Sequence, residues 1–119
     1  MRTGVFEIEG KKYCACLSTR VIVDLENRNG RTSDEELNEI LGSGKVEGLI
    51  WLLQKMIAAG DRYCKKNGID NPGTLTMDDL LDGLDLDGCK DMIAGLIVSV
   101  SNGSKSEVET VEDSNSKNA

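Results

Sequence analysis

Four cysteines and a run of aspartates are the residues of this chain whose types could carry chemistry. Cys14 and Cys16 sit two apart, while Cys64 and Cys89 lie far along the sequence. Thiolates are nucleophiles and soft metal ligands, so four of them raise the question of a zinc site. The spacing argues against one, because no Cys-x-x-Cys knuckle is present. Histidine is absent altogether, which removes the commonest general base and the commonest metal ligand. Cys14 and Cys16 fall on one face of an extended segment and are poorly placed to bridge each other; all four cysteines read as reduced, partly buried thiols. The aspartates invite a second test. Asp82, Asp85, Asp87 and Gly88 look like the start of a calcium loop. Setting Gly88 at the loop's glycine places Asp85 and Asp87 correctly. The first ligand position is then Gly83, and the twelfth, which should be a bidentate Glu, is Ala94. Helix caps and first turns account for these aspartates more simply. Asp78 and Asp79 are adjacent and read as solvated carboxylates, and there is neither a phosphate loop nor a nucleophile elbow. The expectation is a protein without catalytic residues, metal or cofactor that works by contact.

The charge distribution points the same way. The net charge is -7, and the aromatics are only Phe6, Tyr13, Trp51 and Tyr63. A nucleic-acid reader needs a basic face, and a single-strand binder also wants stacking rings, so no nucleic-acid partner is expected. Residues 1–69 are nearly neutral, whereas residues 70–91 hold seven aspartates against the single Lys90. The start of the chain has no apolar stretch of a targeting signal, and the longest apolar run, 49–53, is far short of the roughly 20 residues that span a bilayer. No membrane partner is expected, and a cytoplasmic location is.

The elements that must position these residues read clearly. Phe6 and Ile8 alternate with Glu7 and Glu9, the period of a half-buried strand. A tight turn at Gly10-Lys11 leads to a return strand over 12–17, where Tyr13, Ala15 and Leu17 alternate with Cys14 and Cys16. Ser18 or Thr19 caps a short helix with Val21, Ile22 and Leu25 inward, ending at Asn29-Gly30. Ser33 and Glu36 have the spacing of a capping box for a second short helix. A long helix over 46–67 carries Leu49, Ile50, Leu53, Met56, Ile57, Gly60 and Cys64 at helical spacing, with Trp51, Leu52, Ala58 and Ala59 as additional apolar surface. Thr76 caps a fourth helix with Asp79 at N3, and Leu75 and Leu80 form a hydrophobic staple. A fifth helix over 88–101 closes at Asn102-Gly103. Residues 103–119 are too polar to offset their ordering entropy and read as a disordered tail. The fold class is therefore α+β, mostly α: an N-terminal β-hairpin followed by about five helices in one domain over 1–102, then a disordered C-terminal tail.

This order of features resembles the tail assembly chaperones of long-tailed bacteriophages and prophages. The residues that carry the resemblance are the hairpin from Phe6 through Gly10 to Tyr13, then Ser18, Val21, Val23 and Leu25 with Gly30. Further along come Gly48, Leu49, Ile50, Trp51, Leu52 and Leu53, and Leu75, Thr76, Asp79, Leu80 and Asp82, followed by a last helix. It covers about residues 5–102 and is a pattern of element order more than a rigid motif. The resemblance implies a small, mostly helical protein of the bacterial host cytoplasm. It would hold the tape measure protein soluble while tail tube subunits polymerise around it, the tube protein being a further partner, and it would be left out of the virion. It carries no catalytic residues. The residues themselves leave other readings open: a head–tail connector or minor tail component retained in the particle, or a regulatory protein using residues 70–91 as a decoy. The oligomeric state stays open, a homo-oligomer included. For a chaperone of a helix-rich chain, a shallow apolar groove is needed, and Trp51, Leu52 and Met56 are the candidate partner-binding residues, with Met77 and Met92 behind them.

Overall fold

A computed structural model describes residues 3–107, the side chains of 86–89 and 103–107 excepted. The chain forms strands β1 (Thr3–Ile8) and β2 (Lys11–Cys16), then helices α1 (Thr19–Asn29), α2 (Ser33–Gly42), α3 (Val46–Lys66), α4 (Met77–Gly83) and α5 (Leu86–Glu107). The class is α+β and mostly helical, as the periodicities predict.

β1 and β2 pair antiparallel with Phe6 opposite Tyr13 and Ile8 opposite Lys11. The turn residues are therefore Glu9 and Gly10, one place earlier than the sequence suggests. Both have positive φ, 52° and 79°, which is what a two-residue hairpin turn matching the strand twist demands. Glycine takes the second of those positions without strain, and Glu9 takes the first at some cost.

α3 is the central element. It lies along the outer edge of β2 so closely that a Cβ on Gly60 would stand 1.9 Å from the Cys14 carbonyl oxygen. Only glycine permits that approach, and it covers a strand edge that would otherwise expose its backbone. Leu52, Leu53, Met56 and Ile57 of α3 are fully buried against Phe6, Ala15, Cys16, Val21, Leu25 and Leu80. α5 crosses the hairpin on its other side, bringing Ile93, Ile97 and Val100 into the same core. In β2, Tyr13, Ala15 and Cys16 are buried and Cys14 is half-buried, so its alternation of Cys with Tyr, Ala and Leu does not separate inside from outside.

Two helix boundaries differ from the sequence reading. α2 is capped by Thr32, whose hydroxyl accepts from the Glu35 amide while Glu35 reaches back to the Thr32 amide. The box is shifted one residue from Ser33 and Glu36 because Glu36 is drawn into the interior. α5 runs through Asn102 and Gly103 to Glu107; one asparagine and one glycine cost a helix only about 1 kcal/mol each and do not stop it. The box at Thr76 and Asp79 stands as read. The tail reading for residues 108–119 lies outside the described residues.

Candidate functional site

The chemistry-bearing side chains are placed first by α3. Gly60 docks the helix on β2, and Cys64, one turn later, reaches the Cys14 thiol, with Cys16 beside them. Fifty residues of sequence conceal this trio. Burial pushes the Cys14 thiol up to about 12, with hydrogen bonding to Cys64 and the charges of Cys64 and Cys16 adding to it; burial raises Cys16 as well. Thiols held up in this way stay protonated near neutral pH, and the protonated thiol is neither nucleophile nor good metal ligand. Cys14 and Cys16 are held as packed thiols. Among the described residues no three His, Cys, Asp or Glu side chains are arranged to hold a metal ion. Cys89 and Asp87 have side chains outside the described set.

Two carboxylates are buried. Asp61 accepts from Asn71 Nδ2 at 3.2 Å and pairs with Lys65 Nζ at 3.1 Å, and Asn71 Oδ1 accepts the Cys14 amide proton at 2.9 Å. Burial alone would raise the Asp61 pKa, but the bonds from Asn71 and Lys65 outweigh it and hold it below the usual carboxylate value. The chain after α3 is stapled to the β2 edge by this relay. Glu36 is 1% exposed and accepts from Asn29 Nδ2 at 2.9 Å, with Arg28 Nε at 3.4 Å and Arg31 Nε at 3.2 Å. Arg28 also pairs with Glu47 and lies 4.5 Å over the Trp51 ring. A hollow of about 220 Å³ opens here, but its Arg28, Arg31 and Lys45 face Glu36, Glu39 and Glu47, so the charges compensate one another.

The three residues expected to contact a partner have different fates. Leu52 and Met56 have no exposed surface: they are core, because α3 is enclosed on nearly all sides. Trp51 is half-buried, its ring covered by Arg28 and flanked by Lys55 at 5.8 Å. Met77 is partly buried, and Met92 is exposed but stands beside Lys90 and Asp91.

An open hollow with a half-apolar lining lies elsewhere. α1 and α2 form a helical hairpin, and the C-terminal half of α5 runs past it, leaving a cleft of about 500 Å³ between the three. Leu17 and Leu25 form its floor, Ile22, Leu37 and Leu41 its half-buried walls, and Val98, 43% exposed, its lip. Ser33, Asp34, Asn38, Ser101 and Asn102 make a polar rim. The Ser101 hydroxyl is buried there without a hydrogen-bond partner. No local pattern marks this cleft, since it is assembled from residues 17–25, 33–41 and 98–102. Among the described residues no helix is long and apolar enough to cross a membrane. Compared with known proteins, the chain matches no family model, no curated protein and no solved structure.

Proposed function

We propose that this protein is a phage tail assembly chaperone: a non-catalytic binder, in the bacterial host cytoplasm, that holds a helical segment of the tape measure protein soluble while tail tube subunits assemble. The observation that carries the reading is the cleft between α1, α2 and α5. A chain of this size has little apolar surface to spare, yet leaves open a cleft of about 500 Å³ whose lining is half apolar, a volume within the range of pockets that take ligands. A long tape measure chain with exposed apolar helix faces aggregates unless those faces are covered, and helix-in-groove docking covers them. The resemblance in element order over residues 5–102 supports the same class, and the raised Cys14 and Cys16 thiols and the paired Asp61 and Glu36 carboxylates support a role by contact.

Co-expression with the tape measure protein tests this. The expected result is stoichiometric co-purification, loss of tape measure solubility without the chaperone, and absence of the chain from purified tails by mass spectrometry. Stoichiometric recovery from mature tails would replace the chaperone with a structural component of the particle.

A further inference from the structure

Resting on that reading, we infer that the α1–α2–α5 cleft receives one amphipathic helix of the partner, with lysine or arginine flanking its apolar stripe. The dimensions come from α2. The lining residues from Ser33 to Leu41 span about 12 Å of helix, two turns, which accommodates apolar anchors at i, i+3 or i+4, and i+7.

The charge of the flanks follows from the rim. Among the described side chains that line the cleft none is lysine or arginine, and the charged one is the Asp34 carboxylate. The protein as a whole is acidic at -7. An acidic partner helix meets only repulsion, and a basic one gains both the local pair and the general field.

Two occupants from within the chain fit less well. Residues 108–119 bring Glu109, Glu112 and Asp113 against Lys117 alone and would set acids beside Asp34. A second copy would have to offer a convex apolar ridge. Its exposed Ile69, Leu81 and Met92 stand next to Asp70, Asp82 and Asp91 in sequence, and its exposed Val5 and Val23 lie within two residues of Glu7 and Asp24.

The test uses the full chain and two fluorescein-labelled synthetic helices of about 18 residues, long enough to hold helical structure. Both carry leucines at i, i+3 or i+4, and i+7, one with lysine flanks and one with glutamate flanks. The lysine-flanked peptide should bind about tenfold more tightly or better, and Asp34→Lys should remove most of that preference. Val98→Glu should weaken both peptides by about tenfold or more, with circular dichroism unchanged. Asn102→Glu, at an exposed rim position, reads the same contact should Val98→Glu disturb folding. Equal binding of the two peptides, or indifference to both glutamate variants, overturns the assignment. So does a dimer that Val98→Glu dissociates, or hydrogen-exchange protection of 108–119 that Val98→Glu releases. The two readings separate cleanly. Tape measure co-purification that survives Val98→Glu and Asp34→Lys keeps the chaperone and removes the cleft. Peptide binding at the cleft without tape measure co-purification keeps the cleft and removes the chaperone.

Discussion

Helix α3 and the α1–α2–α5 cleft are both rich in apolar side chains, and they differ in what covers them. On α3 the covering is nearly complete: the hairpin edge lies against Gly60 and Cys64, the core holds Leu52 and Met56, and Arg28 stacks over the half-buried Trp51. At the cleft the apolar walls come from α1, α2 and α5, and no fourth element crosses them among the described residues. The difference teaches that apolar excess in a sequence marks a binding surface only after the fold's own demand has been met. A helix apolar over most of its circumference is meeting that demand. The smaller, divided apolar surface is the one left uncovered.

Substitutions in the two regions should differ sharply. Leu52→Ala removes a fully buried side chain from α3 and should cost about 2–5 kcal/mol in chemical denaturation; a cost below 1 would mean that α3 is not enclosed as described. Gly60→Ala places a methyl against the Cys14 carbonyl and should cost about 3 kcal/mol by forcing helix and strand apart. An unchanged denaturation midpoint would show that the edge contact is looser than the 1.9 Å approach requires. Trp51→Ala loses a partly buried ring and the Arg28 contact and should cost about 1–3 kcal/mol. It should leave peptide binding at the cleft unchanged, so weakened binding would shift the interface back to α3.

How much of this was legible in the sequence follows from the range of the interactions. The hairpin, the α1 stop at Gly30 and the cap at Thr76 are decided within a few residues, and the residue types announce them. The cap of α2 shows the limit. Thr32 with Glu35 and Ser33 with Glu36 are equally good boxes by spacing, and the choice is made by Arg28, Asn29 and Arg31, which draw Glu36 inside. The turn at Glu9-Gly10 was displaced by one residue because the pairing of Phe6 with Tyr13 sets the register. The cysteine trio and the cleft depend on contacts between distant segments, for which no local pattern exists. Trp51, Leu52 and Met56 were singled out by apolarity alone, which does not distinguish core from interface.

The smaller predictions concern Asp61 and Val98. Asp61 has a folded-state pKa below its unfolded value, so its contribution to stability is present above an unfolded carboxylate pKa of about 3.9 and is lost as pH falls through the folded value. Asp61→Asn should therefore lower stability at neutral pH and flatten the acid limb of the stability curve below about pH 4. A parallel downward shift of the whole curve would mean that the Asn71 relay acts by packing alone. Val98→Ala, at the cleft lip, should change stability by no more than about 0.5 kcal/mol, the opposite extreme from Leu52→Ala.

The most direct measurement is a nuclear magnetic resonance titration of the full, isotope-labelled chain with a helical tape measure segment, the proposed partner. Trp51 is the only tryptophan, so its indole N–H is an isolated reporter of the α3 surface. The account predicts that the signals of Ile22, Leu37, Leu41, Val98 and Ser101 move together and saturate while the Trp51 indole stays in place. A large, saturable shift of the Trp51 indole with the cleft signals unmoved would contradict it.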